Sequence, residues 1–307
     1  MLPPVHYRQG QEKKVAHGTW YRGEHCNFIA SKGNLAEPDS AAKYVLHGWT
    51  PELPFLTRKD CFTAFGSCFA AHLTKFLRAH RYQVGSPEWN TDSYIMTYGA
   101  GINNTFAIRQ QLEWALENRT FQESLWYDQD RRLVPPDVDA QLATREILKS
   151  TSVFIFTLGL SEIWYSRETG EVFWRAIPQD VFDPSRHGFR VSTCAENAAN
   201  LEAIYQLVRH HRPDATIIFT LSPVPLVATF RPVSCITANS ESKAILRASL
   251  GEVVRSHSRD NRLFYFPSYE LVKEYFTDPY EQDNRHVQPE IVEQVMNLFA
   301  QHYLADF

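Results

Sequence analysis

An α/β fold with a mainly parallel sheet is what this sequence predicts, and two observations carry the prediction. Four short runs are dominated by apolar and β-branched residues instead of alternating with polar ones: Cys61-Phe-Thr-Ala-Phe65, Ser152-Val-Phe-Ile-Phe-Thr-Leu158, Ala215-Thr-Ile-Ile-Phe-Thr-Leu221 and Arg262-Leu-Phe-Tyr-Phe266. Strands of that character are buried on both faces. Between and after them, apolar residues recur at helical spacing. Strands that alternate with helices build a parallel sheet covered on both sides, a three-layer α/β/α sandwich.

Residues 1–59 carry scattered Gly, Pro, His and aromatic residues without periodicity, and are expected to form an irregular arm packed on the core. One domain with insertions is expected over 60–307. Its first strand ends at Gly66, and Phe69, Leu73, Phe76 and Leu77 then continue at helical spacing to about residue 80. Further helices are expected over about 105–118, 195–211, 240–258 and 289–304, with Pro289 suited to a first helical turn. The stretches 120–140 and 160–195 read as insertions, which commonly shape substrate sites.

Composition removes several function classes. Hydrophobic residues make up 44% and charged residues 21%, a globular balance that argues against disorder. A formal net charge of -4 supplies no electrostatic reason to expect nucleic acid or an anionic membrane as partner. No run of apolar residues is long enough for a membrane span. The start, Met1-Leu-Pro-Pro-Val-His-Tyr-Arg, lacks the pattern of a signal peptide. Five cysteines without CxxC or CxxH spacing suggest neither a disulfide framework nor zinc, so a cytoplasmic location and no metal are expected. The adjacent His210 and His211 are expected to diverge on their helix and to make poor joint ligands.

In an open parallel sheet, ligands bind beyond the carboxyl ends of the strands. The turn Gly66-Ser67-Cys68, Gly159-Leu160-Ser161-Glu162, Ser222-Pro223 and Pro267-Ser268 should therefore converge on one edge. A strand entering a helix through Gly-Ser-Cys sets a nucleophile where exposed N–H groups and the helix dipole favour a thiolate or oxyanion. The structural alternative is that Ser67 caps the helix and Cys68 is a small buried helix residue.

Phe65-Gly66-Ser67-Cys68-Phe69-Ala70 resembles the motif that names the GSCFA-domain family, which is grouped with the SGNH (GDSL-like) hydrolases and acyltransferases. Four more stretches resemble the family pattern in the same order: Thr157-Leu-Gly-Leu-Ser-Glu-Ile-Trp164, Ser222-Pro-Val-Pro-Leu-Val-Ala-Thr229, Ser242-Lys-Ala-Ile-Leu-Arg247 and Tyr265-Phe-Pro-Ser-Tyr-Glu270. The resemblance implies a flavodoxin-like, SGNH-hydrolase-like sandwich of about five parallel strands. The superfamily's last block, Asp-x-x-His before the C-terminal helix, corresponds to Asp283-Asn-Arg-His286. A carboxylate at that spacing can hold the imidazole and stabilise its cation.

Laying the superfamily's Phe-Gly-Asp-Ser over Phe65-Gly66-Ser67-Cys68 puts Cys68 on the nucleophile position, and a one-residue slip restores Ser67. The implied oxyanion donors are backbone N–H groups, a glycine of the second block (Gly99 or Gly101) and an amide of the third. The third block aligns as Gly159-Leu160-Ser161-Glu162, so Ser161 replaces the asparagine, and Asn103 or Asn104 is a substitute that could equally cap the next helix. Glu162 reads as a structural carboxylate or as a group orienting His286. Trp164, Tyr165 and Trp174 read as core or as a sugar-stacking platform. Lys243 and Arg247, four apart, read as a solvated basic face or as a phosphate grip.

The implied activity is acyl transfer on an ester or thioester of a small molecule or glycan, as esterase or O-acyltransferase. No cofactor is required, and acyl-coenzyme A is a donor the resemblance admits. The alternative from another class is a non-catalytic binding or assembly protein that retains the frame.

Overall fold

The computed structural model describes residues 4–16, 25–66, 68–85, 104–127, 130–135, 137–174 and 176–307. The chain divides into two units, Met1–Ser40 and Ala41–Phe307. In the first, β1 (Val5–Gln9) and β2 (Glu12–Ala16) pair antiparallel, turning at Gly10 with φ +64°. This hairpin occupies part of the stretch expected to be irregular. A single helical turn, α1 (Lys32–Leu35), follows, capped reciprocally by Ser31 and Asn34. Residues 41–59, expected to belong to the arm, instead fall in the larger unit and give its core Ala41, Leu46 and Leu56.

The larger unit begins its sheet with β3 (Cys61–Gly66), followed by α2 (Cys68–Ala79) and the short β4 (Gln83–Val84). Then come α3 (Thr105–Glu117), a small hairpin of β5 (Trp126–Tyr127) and β6 (Leu133–Val134), and α4 (Val138–Ser150). The central strand β7 (Val153–Leu158) leads into an antiparallel hairpin, β8 (Glu162–Ser166) with β9 (His187–Val191). The remainder is α5 (Cys194–His211), β10 (Thr216–Leu221), α6 (Cys235–Ser256), β11 (Leu263–Phe266), the short α7 (Ser268–Glu270) and α8 (Pro289–Tyr303). The two expected insertions thus contain hairpins, and α4 was not anticipated.

Every pairing in the five-stranded sheet is parallel, in the order β11-β10-β7-β3-β4. Counted in chain order this is 2-1-3-4-5, the flavodoxin-like arrangement. Strands β7 and β10 are buried at all six positions, as their unbroken β-branched and aromatic sequences require. Side chains alternate between the faces. Phe154, Phe156, Ile217 and Phe219 join Ile108, Leu112, Leu201, Ile204, Leu246 and Leu250 from α3, α5 and α6. Val153, Ile155 and Ile218 join Leu73, Leu77, Val295, Met296 and Phe299 from α2 and α8 on the other side. Burying each large apolar side chain contributes roughly 1.5–3 kcal/mol. Among the described residues, no helix is long and apolar enough to cross a membrane.

Candidate active site

Strand order reverses between β3 and β7, so the crevice at their carboxyl ends is where the topology leaves room for a ligand. Gly66 closes β3 with φ +125°, and a Cβ there would run into the carbonyl oxygen of Thr157 on β7. Only glycine permits this close approach at the strand-to-helix turn. Helix α2 opens at Cys68, two residues later.

The loop ahead of α8 supplies the imidazole. Tyr280 and Val287 pair across its neck, the Glu281 N–H donates to the His286 carbonyl (2.8 Å), and Asn284 turns the chain with φ +54°. Tyr280 ties the loop to the sheet edge by donating its hydroxyl to the Pro223 carbonyl just past β10 (3.0 Å), and burial pushes its pKa up to about 12. Asp283 organises the tip. Its Oδ1 accepts the backbone N–H groups of Arg285 (3.0 Å) and His286 (2.9 Å), while Oδ2 meets Nδ1 of His286. Those two backbone N–H groups, and then the imidazole, hold the Asp283 carboxyl down at about 2.

This arrangement sets the tautomer. With Nδ1–H on the carboxylate, Nε2 keeps its lone pair, the form a general base needs. Arg285 Nη1 lies 3.2 Å from that Nε2 and donates to it. The imidazole is also within electrostatic reach of α2: burial lowers the pKa of His72, one turn beyond residue 68, the charge of Lys75 lowers it further, and so does His286 when its imidazole is protonated.

Behind the edge, Lys243 is neither a solvated base nor a phosphate grip. It is buried and donates to the carbonyls of Gly159 (2.8 Å), Ser222 (2.8 Å) and Val224 (3.0 Å), joining the ends of β7 and β10 to α6. Burial, and secondarily the charge of Arg285, lowers its pKa to about 7. Arg247 pairs with Glu270 (2.7 Å) and lies over the rings of Tyr265 and Trp49.

A model of the GSCFA family matches residues 61–299, most of the chain. The chain belongs to the GSCFA family. No curated protein matches it in sequence. In structure, this GSCFA chain is similar to a carbohydrate esterase family 3 protein from Talaromyces cellulolyticus, at 8% identity and TM-score 0.41, covering 78% of this chain and 94% of that one. It is also similar to a family two carbohydrate esterase from Cellvibrio japonicus (13% identity, TM-score 0.38, covering 82% and 62%). A GDSL-like lipase from Bacteroides thetaiotaomicron is a third such structure (10% identity, TM-score 0.36, covering 80% and 87%).

Of the site residues expected in this GSCFA chain, Asp283 and His286 come together as described. Ser67, Gly99, Gly101 and Asn103 lie outside the described residues, as does the side chain of Cys68. Asn104 is the cap of α3, accepting the Ala107 N–H (2.9 Å). Ser161 faces inward: it is fully buried, and both its N–H (2.8 Å) and its hydroxyl (3.2 Å) contact the Ser242 hydroxyl. Gly159 presents its carbonyl to Lys243. Glu162 is a buried structural carboxylate that accepts from Thr229 (2.8 Å) and Arg231 (2.9 Å), pinning the loop after β10. Trp174 is core, whereas Trp164 packs with Phe182, Phe189 and Phe230 in a half-open aromatic cluster.

Among the described residues, two groups each bring three potential ligand atoms within 4.8 Å of one another: Glu117, His210, His211 and Glu281, Asp283, His286. His210 and His211 therefore converge where helical geometry alone predicted divergence, because α5 ends there and His211 turns to Glu117 (2.5 Å). Arg285, Tyr280 and the role of Lys243 were missed. Only position offered a signal, since all three contact strand-end loops or the Asp-x-x-His turn.

Proposed function

We propose that this chain is an acyl-transfer enzyme acting on an ester or thioester through a covalent acyl-enzyme. The observation that carries the reading is the Asp283–His286 pair, with Nδ1 on the carboxylate and the Nε2 lone pair retained, on a loop tied to the carboxyl edge of the sheet. Cys68, or Ser67 if the register slips by one, attacks the acyl carbon. As the carbon–sulfur (or carbon–oxygen) bond forms, its proton passes to Nε2. Collapse of the tetrahedral intermediate breaks the bond to the leaving group, which takes the proton from His286. Water or an alcohol then repeats the sequence in reverse. The helix start at Cys68 supplies N–H groups to the oxyanion. An esterase uses water; an O-acyltransferase uses a hydroxyl such as that of a carbohydrate, with acyl-coenzyme A as a suitable donor.

The test is intact-mass spectrometry after brief exposure to p-nitrophenyl acetate. The expected result is an acetyl adduct that disappears in Cys68→Ala and forms about 10²–10⁴-fold more slowly in His286→Ala. Loss in Ser67→Ala alone would move the nucleophile by one residue. The buried, internally bonded Ser161, standing where the superfamily has an amide donor, favours a second reading as a binding protein on the same frame. Absence of both adduct and turnover with several esters and thioesters would favour it.

A further inference from the structure

Arg285 sits beside the proposed base His286 with a partner that does not suit a guanidinium. It is half-buried, and its side chain's one hydrogen bond among the described residues goes to Nε2 of His286, at 3.2 Å. Its Nε is buried and meets no acceptor among the described residues. Nor does it form an ion pair there. Asp283, the nearest carboxylate in sequence, accepts the Arg285 backbone N–H and is otherwise engaged with His286. Glu281 groups with Asp283 and His286 without reaching the guanidinium as an ion pair. The buried Lys243, on which Arg285 acts electrostatically, donates to neutral carbonyls.

The guanidinium thus stands beside His286 with no ion-pair partner among the described residues, and its charge is felt by the buried Lys243. An unpaired guanidinium is a fork of N–H donors matched to a carboxylate or phosphate, and a charge-assisted bond to such a group is about twice as strong as one to a neutral acceptor. The neutral imidazole nitrogen is therefore a partner that an anion displaces.

We propose that Arg285 is the receptor for an anionic group on the substrate, and that binding this group draws the guanidinium off Nε2 and frees it to act as base. The inference rests on the acyl-transfer reading and names its substrate class: an ester or thioester with a carboxylate or phosphate close to the acyl bond. In the resting protein, Arg285 occupies the lone pair that catalysis needs. A neutral ester leaves that contact in place, whereas an anionic one exchanges it for a stronger pair. Selectivity and activation then depend on the same side chain.

The experiment compares three esters with wild type, Arg285→Ala and Arg285→Lys. They are p-nitrophenyl acetate, the mono-p-nitrophenyl ester of succinate (anion in the acyl half) and 4-acetoxyphenyl phosphate (anion in the alcohol half). Wild type is expected to prefer at least one anionic ester over the neutral one by about tenfold or more in kcat/KM. Arg285→Ala should collapse that ratio to near one, and Arg285→Lys should keep part of it, since charge survives and the fork does not. Which anionic ester is preferred distinguishes a carboxylate on the acyl group from a phosphate on the alcohol. A merely structural role would slow all three esters alike and leave the ratio unmoved. That outcome, or a wild type indifferent to charge, overturns the proposal.

A second measurement needs no turnover. Succinate or inorganic phosphate should raise the Tm of wild type but not of Arg285→Ala, because a ligand stabilises the state it binds. If wild type turns over no ester at all, the acyl-transfer reading fails by itself. The anion receptor then stands on a Tm rise lost in Arg285→Ala, and falls if neither anion shifts wild type.

Discussion

Strands β7 and β10 and the loops at their carboxyl ends are continuous in the chain, yet different physics holds them. The strands are buried at all six positions, carry threonine as their only polar residue and bury Phe154, Phe156, Ile217 and Phe219 against α3, α5 and α6. A residue further on, the interior turns polar. Lys243 gathers three carbonyls, Ser161 meets Ser242, and Glu162 holds Thr229 and Arg231. Apolar packing is non-directional and positions a layer, whereas hydrogen bonds to buried groups position individual atoms. The loops that carry the candidate chemistry need the second kind of order.

Two buried ionisable groups at this edge differ again. Glu162 has a cation for a partner, and Lys243 has only neutral dipoles among the described residues. Removing a group from each region should expose the contrast. Phe156→Ala is expected to have the largest effect on stability, about 3–5 kcal/mol in denaturant unfolding, through a cavity in the central strand. It should leave the pH dependence of stability as in wild type.

Lys243→Met should cost somewhat less, about 2–3 kcal/mol, because a side chain of similar length fills the space while three carbonyls lose their donor. Its distinguishing mark is in the pH profile. The folded-state pKa, lowered to about 7, lies below the unfolded value near 10.4, so the unfolded chain binds more protons between them. Wild-type stability should therefore rise with pH across that window, and Lys243→Met should flatten the rise. An equal slope in both proteins would show that the cation is not linked to folding.

Glu162→Gln should cost about 1–3 kcal/mol, since Arg231 keeps its second carboxylate, Glu241. The loss should shrink in high salt less than that of an exposed pair would, because Glu162 is only 5% exposed. The smallest effect belongs to Asn104→Ala. Losing the cap of α3 should lower stability by about 1 kcal/mol and leave ester selectivity unchanged. A selectivity change there would return Asn104 to the site.

The strands were legible because short runs of apolar and β-branched residues without polar alternation mark strands buried on both faces. Asp283 and His286 were legible through the resemblance to the superfamily's last block, and a three-residue spacing in one turn joins them without a distant partner. The hairpin β8–β9 escaped notice because Glu162-Ile-Trp-Tyr-Ser166 pairs with a strand twenty residues away. Lys243 was misread for a related reason. Its spacing from Arg247 marks a shared helix face, but that face meets strand-end carbonyls 19 to 84 residues away in sequence.

By itself, then, the sequence determined the α/β class, the positions of the buried strands and the glycine turn at residue 66, because each rests on local periodicity or backbone freedom, and its resemblance to a known family pointed to the Asp-x-x-His pair. Only the tertiary structure decided the partners. That Lys243 is buried on neutral carbonyls, that Ser161 points into Ser242 and that Arg285 rests on the imidazole all depend on which loops meet at the sheet edge. Burial and electrostatic environment are properties of that meeting, and no single stretch of chain contains them.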